Sequence, residues 1–217
     1  MAAFAGPEVE PEGVEDADLL RARLYTLLAQ LLARPPPRAL LAVAAGLSGD
    51  GTPLGRAFDA LAVRAVAAGE RSAEREFHAL FIGVTRGELV PFASYYRTGF
   101  LNDRPLARLR ADLDALGIER APGVSEPEDH IAALCEVMAA LIGEGADLHR
   151  QKRIFERHLA PWAGRFFADL EEASAAVLYR PVGTIGRLFL DIEADAFAML
   201  AHAAGEQQER EGMGHAP

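Results

Sequence analysis

Apolar residues recur every three to four positions along most of this chain. That is the spacing of residues on one face of an α-helix, whereas a half-buried strand alternates apolar and polar residues. No such alternation is sustained anywhere in the sequence. The first stripe ends at the three prolines of residues 35–37 and consists of Leu20, Leu24, Leu27, Leu28, Leu31 and Leu32. The pattern predicts an all-α fold, with one globular domain of about nine to ten helices.

The composition supports a helical fold, because Ala, Leu, Glu and Arg dominate while Val, Ile and Thr are sparse. The ends of the chain differ from the rest. Residues 1–15 are rich in Pro, Gly and Glu, which predicts a disordered acidic tail. Residues 205–217 contain three glycines, which predicts a flexible C-terminal tail. The helical domain is therefore expected to span residues 16–204.

The formal net charge of −10 argues against a nucleic acid partner, because phosphate binding needs clustered Lys and Arg. A basic peptide is compatible with this charge. Cys135 is the single cysteine, which excludes an intramolecular disulfide and a Cys-rich metal site. The N-terminus lacks the basic and apolar regions of a secretory signal, and no apolar run approaches the roughly 20 residues of a membrane span. We therefore expect a cytoplasmic protein without a membrane span.

Several helix ends are indicated by single residues. Thr52 followed by Pro53 predicts an N-cap and the first residue of a helix. Asp103 predicts the start of another helix, and Gly117 predicts its end. Between these two helices, Ser72 is expected to cap a third.

The longest irregular stretch covers residues 83–102 and contains four aromatic side chains, those of Phe92, Tyr95, Tyr96 and Phe100. A long loop inside a compact helical domain is often functional. The alternative is a loop that only packs its own aromatic side chains against the core. The residues leave both interpretations open.

The segment from Ser125 to His130 can be explained in part as a helix start. Ser125 and Glu128 have the spacing of a capping box, and acidic residues are favoured at a helix N-terminus. In such a helix Asp129 would point away from the apolar face. His130 would lie on the border of that face, where the neighbouring carboxylates favour a protonated ring. Asp129 and His130 are therefore candidates for binding, with a purely structural histidine as the alternative.

No motif indicates a catalytic centre or a metal site. Glu126 stands three residues before Asp129, where a di-iron Glu-x-x-His motif needs a histidine. His-Glu-x-x-His, Gly-x-Ser-x-Gly and glycine-rich phosphate loops are absent. Cys135 lies on the apolar face of its predicted helix, as an inert buried thiol would. We predict that the protein is not an enzyme and has no catalytic residue, metal or cofactor.

The segment from His158 to Trp162 indicates structure. Pro161 is expected in the first turn of a helix. The single tryptophan, Trp162, is expected to pack at a helix junction. His158 is placed to cap the carbonyl groups of the preceding helix.

Four short motifs follow one another on this helical frame. They are Phe77-x-x-Leu80-Phe81-x-Gly83, Pro91-x-x-Ser94-x-Tyr96, Glu126-Pro127-x-Asp129-His130 and His158-Leu159-x-Pro161-Trp162. In this order, and over about residues 18–202, they resemble the TorD family of molybdoenzyme maturation chaperones, which includes the DmsD and NarJ branches.

The resemblance implies a TorD-like bundle of about ten helices, either a monomer or a domain-swapped dimer. It also implies that the protein binds the twin-arginine signal peptide and the apo form of a molybdopterin oxidoreductase, assists cofactor insertion and prevents premature export. The signal-peptide-binding residues that it implies are Glu126, Asp129, His130, Tyr95, Tyr96 and Phe92.

Two other classes of function remain open on the residues alone. A metal-dependent helical-bundle enzyme would use Glu126, Asp129 and His130. A structural helical adaptor protein would bind a folded partner through its leucine-rich faces.

Overall fold

The computed structural model describes residues 4–5, 16–120 and 126–213, and these contain ten α-helices. Two π-helical turns, His78–Ile82 and Phe155–Leu159, continue the fourth and eighth helices. The helices are α1 (Asp16–Ala33), α2 (Arg38–Ala45), α3 (Pro53–Ala67), α4 (Glu70–Phe77), α5 (Ala93–Thr98), α6 (Arg104–Ala115), α7 (Ile131–Gly143), α8 (Leu148–Ile154), α9 (Ala163–Glu172) and α10 (Tyr179–Met213). The predicted all-α fold is confirmed.

The extended structure in the described ranges is small. Two-residue strands β1 (Phe4–Ala5) and β2 (Glu119–Arg120) pair antiparallel, with Phe4 opposite Arg120. No helix in the described part of the chain is long and apolar enough to cross a membrane.

Local capping chemistry sets several helix ends as predicted. The Thr52 hydroxyl oxygen accepts from the Gly55 amide at 3.0 Å, and Asp103 caps α6. Gly117 follows α6 with a φ of 70°, a conformation that favours glycine. The expectation for Ser72 is wrong. Helix α4 begins after Gly69, and the Ser72 hydroxyl donates to the Gly69 carbonyl oxygen at 2.7 Å.

The core is built where α1 packs along α7 and where α9 packs against α10. Helix α10 also contacts α3, and α3 contacts α2. Full burial of one large apolar side chain stabilises the fold by about 1.5–3 kcal/mol. The largest fully buried side chains include Trp162, Tyr25, Tyr179, Phe155, Phe166, Phe167 and Phe197.

Helices α9 and α10 approach each other closely at a glycine. A Cβ atom added at Gly186 would overlap the ring of Phe167. The absence of a side chain at this position therefore allows the Phe167 ring to lie directly against the α10 backbone.

Buried charge also links helices that are distant in sequence. Glu193 on α10 is 1% exposed and accepts two hydrogen bonds from the Arg21 guanidinium, at 2.6 and 2.8 Å. The Tyr25 hydroxyl donates to the same carboxylate at 3.1 Å. Because Arg21 and Tyr25 both belong to α1, this network fixes α1 against α10.

The last helix passes the domain boundary expected at residue 204 and continues to Met213. It begins at Tyr179, after a turn held by the Glu76 carboxylate, which accepts from the Val177 and Tyr179 amides at 2.7 and 2.8 Å. Most of the predicted acidic tail, residues 1–15, and residues 214–217 lie outside the described residues.

Candidate functional site

Two of the predicted motifs are adjacent in the structure. The segment entering α5 pairs with the segment entering α7 through a bridge between Phe92 and His130. The Ala93 amide donates to the Asp129 carbonyl oxygen at 2.9 Å, and the Ile131 amide donates to the Pro91 carbonyl oxygen at 2.9 Å. The aromatic loop and the acidic motif are therefore held together by their backbones.

Asp129 lies inside this junction. Its side chain is not directed away from the core as predicted, because residue 129 precedes α7 and is only 1% exposed. Carboxylate oxygen Oδ2 accepts from the Ser94 amide at 2.8 Å, in the first turn of α5. Oxygen Oδ1 and the Ser94 hydroxyl are both buried without a hydrogen-bond partner among the described residues. Asp129 thus caps a helix 35 residues earlier in the chain.

His130 is the N-cap of α7. Its Nδ1 accepts from the Ala132 amide at 3.1 Å, which places the proton of the neutral ring on Nε2. The ring packs edge-on against Phe92 with 4.9 Å between centroids. Burial lowers the pKa of His130 to about 4. The expectation that this histidine holds its proton near neutral pH is therefore wrong, because burial of the ring disfavours its charged form.

The predicted capping box is replaced by a different arrangement. Ser125 lies outside the described residues, and α7 begins only at Ile131, with His130 as its cap. Glu128 accepts hydrogen bonds from two nitrogens of Arg110 on α6, at 2.9 and 3.0 Å. Burial alone would raise the pKa of Glu128, but the Arg110 contact outweighs it and the pKa is lowered.

Glu126 is the exposed carboxylate of this motif. Partial desolvation raises its pKa above the ordinary value. Of the three acidic residues at 126, 128 and 129, it is the one whose side chain faces solvent, while the other two are buried and hydrogen-bonded.

The aromatic loop contains a short helix, α5, which the sequence pattern does not predict. Tyr96 on this helix packs against Trp162 and Phe166, with centroids 5.4 and 5.9 Å away. Its hydroxyl donates to Asp169 at 2.8 Å. Burial raises the pKa of Tyr96, and the Asp169 hydrogen bond raises it further. Tyr96 thus joins α5 to α9.

Tyr95, the neighbouring residue on α5, lines an open cleft of about 490 Å³ that Tyr96 also borders. We name this the Tyr95 cleft. Its walls come from residues 86–99 and from α9, and its charged side chains are those of Arg86, Arg97, Arg165, Glu88 and Asp169.

An apolar turn follows α5. Phe100 is 71% exposed and Leu101 is 51% exposed. Phe100 is one of the four loop aromatics, but the family resemblance does not place it among the binding residues. Gly99, with a φ of 83°, ends α5, and Phe100 and Leu101 follow it directly.

A second buried network was not predicted. Asp112 on α6 is 5% exposed, and its carboxylate contacts His158 Nε2 at 2.7 Å. Arg153 and Arg157 donate to its other oxygen at 2.8 and 2.9 Å. The sequence could have predicted this network, because Asp112 falls three residues after Leu109 on the apolar face of α6. A carboxylate on such a face needs hydrogen-bond or ion-pair partners.

His158 therefore bonds a side chain of another helix rather than the carbonyl groups of its own. Its own carbonyl oxygen accepts from the Trp162 indole nitrogen at 2.7 Å. Trp162 is buried at the junction of the π-helical turn and α9, as predicted. Helix α9 begins at Ala163 rather than at Pro161.

The described residues contain no group of three or more His, Cys, Asp and Glu side chains placed to hold a metal ion. Cys135 is buried, and burial raises the pKa of its thiol, as predicted for an inert cysteine. At the α5–α7 junction, Asp129 and His130 act as helix caps, and Glu128 pairs with Arg110. Glu126, Phe100 and Leu101 are exposed. The described part of the chain is thus an all-α domain with exposed apolar and acidic side chains beside this junction.

Comparison with known proteins identifies the family. Residues 48–168 match the family described as the nitrate reductase delta subunit, which is more than half of the chain. The chain belongs to this family, and the resemblance to the TorD and NarJ chaperones is confirmed.

Curated relatives agree with this assignment, and a solved structure shares the fold. The chaperone protein TorD from three strains of Vibrio cholerae serotype O1 is 29% identical over 126 residues, covering 53% of this chain and 57% of the relative. The chain thus matches little more than half the length of these relatives. A crystal structure of a protein assigned to redox enzyme maturation in Archaeoglobus fulgidus superposes with a TM-score of 0.55 at 18% identity, over 85% of this chain and 99% of that chain. That likeness shows the fold.

Proposed function

We propose that this protein is a cytoplasmic chaperone that binds the twin-arginine signal peptide and the apo form of a molybdopterin oxidoreductase, assists cofactor insertion and prevents premature export. Membership of the nitrate reductase delta subunit family is the observation that carries this proposal. The relatives named as chaperones and the exposed apolar turn after α5 support it.

The peptide-binding surface that we propose consists of Phe92, Phe100, Leu101 and Glu126. Its apolar part is the exposed pair Phe100 and Leu101, together with the half-buried ring of Phe92. Its acidic part is Glu126. A twin-arginine peptide combines two arginines with an apolar stretch, so it matches a surface that has both exposed apolar side chains and a carboxylate.

The apolar part and the acidic part of this surface are expected to contribute different amounts of binding free energy. An exposed arginine–carboxylate pair contributes about 0.2–1 kcal/mol, whereas a micromolar complex needs about 8 kcal/mol. Burial of a Phe or Leu side chain contributes about 1.5–3 kcal/mol. Apolar burial therefore supplies most of the affinity in this proposal, and Glu126 selects and orients the arginine pair.

In this proposal the remaining predicted residues support the peptide surface or lie beside it. Asp129 and His130 are buried and hold the segments of the peptide surface together, rather than offering their side chains to a ligand. Tyr96 fixes α5 to α9, and Tyr95 lies half-exposed beside the surface.

Binding of a synthetic peptide tests the proposal. The probe is a fluorescent twin-arginine signal peptide of a molybdopterin oxidoreductase, and its comparison is the same peptide with both arginines changed to lysine. We expect fluorescence anisotropy to give a 1:1 complex that weakens several-fold on that change, because lysine lacks the bidentate geometry of arginine. Equal affinity for the two peptides would refute an arginine-selective site.

Matched variants locate the surface. Phe100→Ser removes an exposed aromatic side chain and should weaken binding by about tenfold, which corresponds to roughly 1.4 kcal/mol. Val66→Ser is the control, since Val66 is 74% exposed on α3 and lies outside the proposed surface. Binding that is unchanged in Phe100→Ser, or equally weakened in both variants, would place the peptide elsewhere.

A further inference from the structure

The Tyr95 cleft carries an excess of positive charge. Arg86, Arg97 and Arg165 all line it. Within the part of the chain that the structure describes, none of the three forms an ion pair with a carboxylate, although several other arginines do. In a protein with a net charge of −10, this concentration of unpaired cations is a local reversal of charge.

The three guanidinium groups contact neutral groups instead. Arg86 donates to the Tyr95 hydroxyl at 3.0 Å, and its guanidinium lies over the Tyr95 ring at 5.5 Å. Arg165 donates to the Tyr96 carbonyl oxygen at 3.0 Å. Arg97 donates to the Arg157 carbonyl oxygen at 3.4 Å. A guanidinium group has five N–H donors, so each of these arginines retains donors for a ligand.

The two acidic residues of the cleft already accept hydrogen bonds. Glu88 accepts from the backbone amides of Ser174 and Ala175, at 2.6 and 3.1 Å. Asp169 accepts from the Tyr96 hydroxyl at 2.8 Å. Both carboxylates therefore have structural partners, and the positive charge of the cleft is not neutralised by direct contact.

We propose that the Tyr95 cleft binds an oxyanion, a phosphate or carboxylate group held by Arg86, Arg97 and Arg165. Guanidinium groups match these groups in geometry and in charge. Its volume of about 490 Å³ is within the range of small-ligand sites and exceeds the needs of a single phosphate. The site does not depend on twin-arginine peptide binding, because the ligand has the opposite charge.

Titration calorimetry of the full chain tests the site with two probes, pyrophosphate and a tetraglutamate peptide. These probes distinguish a phosphorylated small molecule from acidic side chains of a partner protein. The test variant is Arg86→Gln/Arg97→Gln/Arg165→Gln. The control is Arg23→Gln/Arg64→Gln/Arg71→Gln, which removes three exposed arginines outside the cleft and changes the net charge equally.

We expect at least one probe to bind the wild-type chain at low salt and to weaken as salt is raised, because exposed charges are screened. The triple cleft variant should lose at least about tenfold in affinity, while the control changes by less than about threefold. Binding by pyrophosphate alone assigns a phosphate ligand, and binding by the peptide assigns a carboxylate partner.

The single variant Arg97→Gln keeps the test valid if the triple variant unfolds, because among the described residues Arg97 makes one long hydrogen bond, to the Arg157 carbonyl oxygen. It should weaken binding with an unchanged circular dichroism spectrum. Failure of both probes to bind the wild-type chain, or equal losses in the cleft and control variants, would overturn the proposal. Neither result would bear on the peptide surface.

Discussion

Replacement of Asp112 by alanine tests whether the buried network between α6 and the π-helical turn stabilises the fold. The carboxylate joins one buried partner, His158, to two half-exposed partners, Arg153 and Arg157. Removal of Asp112 leaves His158 in a buried position without its hydrogen-bond partner. The two arginines can instead turn to solvent.

The expected magnitude follows from these different exposures. Each of the two arginine pairs is screened by solvent and contributes about 0.2–1 kcal/mol. The buried contact with His158 contributes about 1.5–3 kcal/mol, since one partner is charged. We therefore expect Asp112→Ala to lower the free energy of unfolding by about 2–4 kcal/mol, a large part of the stability of an ordinary domain.

Urea denaturation followed by circular dichroism at pH 7 measures this change. Asp114→Ala is the matched control, because Asp114 lies two residues later on the same helix and is exposed. The control should change the free energy of unfolding by less than about 0.5 kcal/mol. If both variants lose the same stability, the loss reflects helix α6 in general and the reasoning about the network is refuted.

Two further predictions concern α7 and the contact between α9 and α10. The pKa of His130 is about 4 in the folded chain, whereas its ordinary value is 6.5. As the pH is lowered, the unfolded state therefore binds a proton before the folded state does. The free energy of unfolding should fall by up to about 3 kcal/mol between pH 6.5 and pH 4. His130→Asn keeps an acceptor for the Ala132 amide and should remove that part of the pH dependence in urea titrations, whereas an unchanged slope would contradict it. Gly186→Ala should destabilise the fold by about 1–3 kcal/mol through overlap with Phe167, while Gly164→Ala, which meets no atom, should be neutral or stabilising in thermal unfolding.

The helix ends that could be predicted from the sequence depend on neighbouring residues alone. Thr52 caps α3, which begins at the next residue, Pro53. Asp103 caps α6 by accepting a hydrogen bond from the amide of the next residue, Arg104. Gly117 ends α6 through its own backbone conformation. Each signal lies within a few residues of the feature it controls, so periodicity and residue type were sufficient.

The α5–α7 junction could not be predicted in the same way. The start of α7 is set by hydrogen bonds with residues 91–93, more than 30 positions earlier in the chain. A helix extended back to Ser125 satisfies the local rules equally well, and it directs Asp129 and His130 outward. Only the tertiary pairing decides between the two, and it buries both side chains.

Tertiary contacts also explain part of the net negative charge of the protein. The carboxylates of Glu76, Glu88 and Asp129 accept hydrogen bonds from backbone amides of distant segments. The Glu193 carboxylate accepts a hydrogen bond from Arg21. Part of the acidity therefore serves the fold, and net charge by itself is weak evidence for a basic ligand. Exposed carboxylates such as Glu126 are the ones available to a peptide.

This distinction gives opposite expectations for two neighbouring residues. Asp129→Asn should lower the free energy of unfolding by about 1–2 kcal/mol, because it weakens the bond to the Ser94 amide, and it should leave the preference for twin arginine over twin lysine intact. Glu126→Gln should leave stability unchanged and reduce that preference, because the carboxylate faces solvent. Urea denaturation and peptide anisotropy on both variants separate the two roles. If Asp129→Asn abolished the preference at unchanged stability, the buried carboxylate would have to reach the peptide, and the α5–α7 junction would have to open on binding.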